Sequence, residues 1–231
     1  MTIAENINEI RRHIDAAARE SGRTGADVLL LGACKMNDAS RCREAIDAGI
    51  DALGENRVQE MTEKLAQNAY EGVPLHFIGH LQRNKVKNVV GTAVLIHSIG
   101  SRELLEEVEK QAAKMELIQN VLLEVNIGGE EAKSGFAPED VAEAAAYALQ
   151  LPHVRVKGLM AIPPIAVSEH GNTPYFEKMY RLYVDISKNL YDNTWEYISM
   201  GMSEDYEDAI RCGANLVRIG SGIFGARNYQ K

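Results

Sequence analysis

Val28-Leu29-Leu30-Leu31-Gly32-Ala33-Cys34-Lys35-Met36-Asn37-Asp38 joins a short apolar run to a polar turn that holds no Gly-x-Gly-x-x-Gly. A continuous apolar run of this length suits a strand covered on both faces, as in a parallel sheet. The missing glycine pattern removes the usual sign of a dinucleotide-binding open sheet. Comparable runs follow at 52–54, 75–79, 93–98, 121–127, 154–160, 197–200 and 216–220. Helix-period segments stand between them, at 40–48, 57–67, 83–89, 102–115, 138–149, 175–190 and 205–211. Strands joined by helical crossovers pair in parallel, and eight such units in about 200 residues reach the lower size of a closed barrel. The expectation is an α/β chain: a single (β/α)8 TIM barrel over 28–225, an extra N-terminal helix over 1–21, and one domain of 1–231. An open doubly wound sheet is the alternative that the same alternation permits.

Upstream of the first run, Ile3, Ile7, Ile10 and Ile14 repeat at helical spacing among charged residues, so the N-terminus lacks the apolar stretch of a secretion signal. No apolar run reaches membrane-spanning length. Cys34, Cys42 and Cys212 are odd in number and show no Cys-x-x-Cys spacing, which argues against a disulfide framework and a structural zinc. The 25 basic residues against 33 acidic ones, for a net charge of −8, leave no basic footprint for nucleic acid. The expected setting is the cytoplasm, with neither nucleic acid nor membrane as a partner.

In a barrel, sites form at the C-terminal ends of the strands, and phosphate binds after strands seven and eight. At those places stand Ser199-Met200-Gly201-Met202-Ser203 and Arg218-Ile219-Gly220-Ser221-Gly222. Glycine lets a backbone approach closely, and serine hydroxyls donate to an anion. Ser203 alone could equally cap the next helix. Lys35 ends the first strand at the rim of the same face. An apolar setting and a nearby cation such as Arg218 favour the neutral, nucleophilic amine that imine formation requires. A lone lysine there would read as a surface side chain. Together with the two Gly/Ser turns it reads as an imine plus a phosphate anchor, the way pyridoxal 5'-phosphate (PLP) is held.

The segments Gly54-Glu55-Asn56-Arg57-Val58-Gln59-Glu60, His76-Phe77-Ile78-Gly79-His80-Leu81-Gln82-Arg83-Asn84-Lys85, Gly158-Leu159-Met160-Ala161-Ile162-Pro163-Pro164 and Arg218-Ile219-Gly220-Ser221-Gly222-Ile223-Phe224-Gly225 resemble the pyridoxal phosphate homeostasis proteins. Those proteins share the barrel of alanine racemase. The resemblance implies that Lys35 carries PLP as a Schiff base and that Ser199, Gly201, Ser203, Gly220 and Ser221 contribute to the phosphate site. It also implies Arg218 near the pyridine nitrogen, with Asn56 and His80 lining the pocket. The family usually carries Ser where this chain has Cys34, a change beside the lysine.

The implied function is PLP homeostasis: binding, buffering and delivering the cofactor to PLP-dependent apoenzymes, without strong catalysis. An amino-acid racemase is the alternative. It needs a second base opposite the lysine, which racemases take from a further domain and a dimer partner. The chain runs only eleven residues past Gly220, which favours a monomeric carrier; Tyr229 is the one terminal side chain that could act as a base. A Schiff-base aldolase would need a carboxylate beside Lys35, for which Glu55 and Glu124 are the candidates. His76 and His80 are four apart but lie on a strand pattern, so no metal site is expected. The stretch 128–135 fails the spacing of a P-loop, leaving Lys133 as a side chain near the cofactor mouth.

Overall fold

The alternation closes on itself. The computed structural model describes residues 1–225, and its eight parallel strands form one barrel in sequence order. The strands are β1 (Leu29–Ala33), β2 (Ala52–Glu55), β3 (Leu75–Phe77), β4 (Leu95–Ile99), β5 (Gln119–Val125), β6 (Val154–Ala161), β7 (Tyr197–Ser199) and β8 (Leu216–Ile219). β8 pairs back onto β1, with Leu29 opposite Leu216 and Gly32 opposite Ile219, so no edge is left open. The run at 52–54, the shortest of the eight, pairs on both sides, with Leu31 opposite Ala52 and Leu53 opposite Leu75.

The helices are α1 (Ile3–Glu20), α2 (Ala39–Asp47), α3 (Val58–Leu65), α4 (Arg102–Lys114), α5 (Val141–Ala148), α6 (Thr173–Leu190), α7 (Tyr206–Arg211) and α8 (Ser221–Phe224). In α1 the Thr2 hydroxyl accepts from the Glu5 amide while Glu5 accepts from the Thr2 amide, a capping box that fixes the start. Its four isoleucines, Ile3, Ile7, Ile10 and Ile14, are all buried, as their spacing predicts. The segment expected to be a helix at 83–89 is instead a 3-10 helix, Arg83–Asn88. It is only six residues long, and Val86, Val89 and Val90 all turn inward beside it. Short connectors of this kind adopt the tighter winding.

Side chains alternate between two apolar layers. Leu30, Leu53, Phe77, Ile96, Leu123, Leu159, Ile198 and Val217 point outward and pack against the helices. Leu31, Ala52, Leu95, Leu122, Met160 and Leu216 point inward and fill the barrel. Toward the C-terminal ends of five of the strands the inward positions turn polar: His76 on β3, His97 on β4, Glu124 on β5, Ser199 on β7 and Arg218 on β8. Among the described residues, no helix is long and apolar enough to cross a membrane.

Candidate functional site

Above the inward polar layer the C-terminal face opens into a cavity of about 1440 Å³. Lys35 continues the inward phase of Leu29, Leu31 and Ala33 and borders that cavity, half-buried. Asn56, His80 and Arg218 border it too, as do Ser203, Gly220 and Ser221. The two Gly/Ser turns are tied to each other: the Gly222 amide donates to Ser203 Oγ at 3.2 Å. Asp205, not Ser203, occupies the cap position of α7, which leaves the Ser203 hydroxyl at the cavity edge.

Ser199 and Gly201 do not border the cavity. They stand beneath it and hold Arg218. The Ser199 hydroxyl oxygen accepts from Arg218 Nη1 at 2.5 Å, and the Gly201 carbonyl accepts from the Arg218 amide at 3.0 Å. Arg218 Nη2 completes the set by donating to the Ala161 carbonyl at 3.0 Å. Gly201 stands at φ +91°, where an added Cβ would fall 2.6 Å from Ala209 Cβ, so glycine is required for the turn to pack. Gly79 has a different need: a Cβ there would lie 2.1 Å from the Asn56 carbonyl, and its absence lets Asn56 and His80 come together at the rim.

Burial lowers the Arg218 guanidinium to about 10, opposed by the charges of Asp205 and Glu124, so it remains a cation at neutral pH. Glu124 lies in the same wall. Burial pushes its carboxyl above the usual range, partly offset by the Ser134 hydroxyl, 3.1 Å from both of its oxygens. Ser199 Oγ also lies 3.1 Å from His97 Nδ1, and His97 Nε2 lies 3.0 Å from His76 Nδ1. Burial pushes His76 down to about 4 and His97 well below 6.5, so both rings are neutral near pH 7. The sequence reading missed His97, although a polar residue in the inward phase of a Leu-Ile strand was its signal.

Other candidates separate cleanly. Glu55 points outward behind β2 and is fully buried, away from the cavity. Cys34 also points outward, its thiol donating to Glu55 Oε1 at 3.1 Å, so the change beside Lys35 faces the helices. Lys133 borders the cavity mouth, where it donates to the Pro163 carbonyl at 3.1 Å and pairs with Glu130. The loop at 162–172 forms one wall, pinned by His170 to Asp208 at 2.8 Å and by Asn172 to Asp205 at 2.7 Å. Tyr229 lies outside the described residues. Among those residues no cluster of metal-ligating side chains is present.

The donor set suits PLP. Asn56 Oδ1 and Ser98 Oγ are buried polar atoms without a hydrogen-bond partner among the described residues, and both residues border the cavity. Such atoms call for a polar ligand or water. A fixed cation, two hydroxyls on glycine turns and a lysine amine match the ring nitrogen, phosphate and aldehyde of that cofactor.

The alanine racemase N-terminal domain family matches residues 2–228. A pyridoxal phosphate homeostasis protein of Aquifex aeolicus is 42% identical over 229 residues, covering 99% of this chain and all of its own. PipY of Synechococcus elongatus, solved with PLP bound, superposes with a TM-score of 0.84 at 27% identity, over 97% of this chain and 100% of that one. An alanine racemase of Clostridium difficile shares the fold alone, with a TM-score of 0.73 at 17% identity over 99% of this chain and 58% of that one. The chain therefore belongs to the alanine racemase N-terminal domain family and, within it, to the pyridoxal phosphate homeostasis proteins.

Proposed function

We propose that this chain binds PLP at the mouth of its barrel, with Lys35 as the amine bonded to the aldehyde carbon, and holds the cofactor for other proteins. The observation that carries the reading is Lys35 in the inward phase of β1, on one cavity with the glycine-serine turns after β7 and β8. The relative solved with PLP and the names of the full-length relatives support it. When bound, PLP supplies an aldehyde that condenses with an amine and a ring that can draw electrons from the attached carbon.

The residues divide the remaining work. Ser203 and Ser221 offer hydroxyls to the phosphate, and Gly220 lets the backbone approach it. Ser199 and Gly201 act one layer lower, orienting Arg218 and shaping the turn that carries Ser203. Arg218 faces the ring nitrogen as a permanent cation, which opposes protonation there and curbs carbanion chemistry. Asn56 and His80 line the wall beside Lys35, where Asn56 Oδ1 has hydrogen-bonding capacity to spare. We infer further that residues 1–231 act as one domain, as a monomer in the cytoplasm, with PLP-dependent apoenzymes as recipients. Three free cysteines and the absence of a basic footprint in a sequence of net charge −8 support that setting.

The test is spectroscopic. The purified protein mixed with PLP should show a visible absorption band that borohydride bleaches, with the added mass on the peptide containing Lys35. Lys35→Ala should lack both signals. A wild-type chain that takes up no PLP, or a variant that keeps the band, would overturn the reading.

A further inference from the structure

Helix α3 holds the peptide units on both sides of Lys35. The Cys34 carbonyl, in the peptide bond entering Lys35, accepts from Lys64 Nζ at 2.8 Å. The Met36 amide, in the peptide bond leaving Lys35, donates to Glu60 Oε2 at 2.8 Å. Glu60 and Lys64 stand one helical turn apart, and their charged atoms are 3.9 Å from each other. The Lys64 ammonium also meets Glu55 Oε1 at 2.5 Å, an oxygen that accepts from the Tyr70 hydroxyl at 2.9 Å and the Cys34 thiol at 3.1 Å.

This ion pair is deep. Lys64 is 6% exposed and Glu55 not at all. Taking both charges out of water is costly, and good geometry with further hydrogen bonds is needed to offset it. The strain lies beside it: Met36 stands at φ +61°, in the left-handed region that a long side chain rarely adopts. Such a conformation persists only where the surroundings over-determine it, and the Glu60 carboxylate on the Met36 amide is one such restraint. None of Glu55, Glu60 and Lys64 borders the cavity.

We propose that Glu60 and Lys64 are positioning residues for Lys35, with Glu55 as the buried counter-ion of Lys64, and that they fix the backbone from which the amine reaches the aldehyde of PLP. The inference rests on Lys35 being the attachment amine. The bond itself is unaltered: the Lys35 nitrogen bonds to the aldehyde carbon, and the aldehyde oxygen leaves as water.

The experiment compares two ligands on the full chain. PLP can bond to Lys35; pyridoxamine 5'-phosphate has the same ring and phosphate but an amine in place of the aldehyde. Glu60→Ala should bind PLP about tenfold more weakly, the loss of a hydrogen bond to a charged group. Its affinity for pyridoxamine 5'-phosphate should be unchanged. Glu60→Gln, which retains an oxygen for the Met36 amide, should recover most of the loss. The charge-balanced pair Glu55→Gln with Lys64→Met should reproduce Glu60→Ala wherever thermal melting shows it folded; if it does not fold, the partly exposed Glu60 decides alone. Equal losses for both ligands, or undiminished PLP affinity in Glu60→Ala, would overturn the positioning role. A wild-type chain that binds both ligands equally and shows no bleachable band would instead sink the assignment of Lys35.

Discussion

His76→Gln should flatten the acid side of the stability curve. The His76 and His97 rings are buried, at 3% and 0% exposure, and meet at 3.0 Å inside the barrel. Burial lowers His76 from the ordinary 6.5 to about 4. The depressed group is a base, so the unfolded chain takes up its proton as pH falls through 6.5, while the folded chain resists until about pH 4. Stability is therefore full above 6.5 and drains away between 6.5 and 4. At about 1.4 kcal/mol per unit, the loss between about pH 7.5 and about pH 4.5 comes to about 2 to 3 kcal/mol from His76. Glutamine leaves His97 a hydrogen-bonding partner and does not titrate in this range. Urea unfolding of both proteins at the two pH values measures the difference, and the carboxylates common to both cancel. Wild type should lose about 2 to 3 kcal/mol more than the variant; parallel losses would show that His76 is not held neutral by its burial.

Ser203→Ala combined with Ser221→Ala should weaken PLP binding, since each removes a hydrogen bond to a charged group worth about 1.5 to 3 kcal/mol; unchanged affinity in an absorbance titration would place the phosphate elsewhere. Gly201→Ala forces a side chain onto a left-handed residue, with its Cβ 2.9 Å from Tyr206 Cα, and should lower the melting temperature. A melt like that of wild type would mean that the turn relaxes freely. Incubating the PLP-loaded protein with amino acids in deuterated water should give little exchange at the α-carbon by NMR. Rapid exchange would replace the carrier with a racemase.

The strands were legible because period and length both spoke for them, even at 52–54, where only three residues carried the signal. The helix at 83–89 was not, because its valines fit a buried 3-10 turn as well as an α-turn. At the site, the glycine-serine turns and Lys35 could be read from fold rules, whereas depth could not. Ser199 and Ser203 look equivalent in the sequence, yet Ser199 is an inward residue of β7, one layer under the cavity, and Ser203 stands past the turn at its edge. Phase would have separated the two acid candidates. Counting by twos from the inward Ala52 sends Glu55 outward, and counting from Leu122 sends Glu124 inward. The clamp on Lys35 had no sequence signal at all, because it joins α3 to backbone atoms of a different segment.

The layering of the barrel interior decides what the floor of the cavity can do. An apolar plug from Leu31 to Leu216 closes the barrel from below, so the charges directly above it, Arg218 and Glu124, are poorly solvated. Among the described residues no carboxylate contacts Arg218 directly; a serine hydroxyl and a backbone carbonyl each take one of its N–H donors, while Glu124 and Asp205 act only through their fields. A second cation beside it would be costly, and the Arg218 charge is one of the causes that keep His97 neutral, after burial and His76. The floor thus offers one fixed positive charge, two neutral imidazoles and one carboxyl, Glu124, whose proton affinity is raised by burial. Arg218 draws an anionic ligand without exchanging a proton, and in this layer proton exchange falls to Glu124, the carboxyl that burial pushes toward its neutral form.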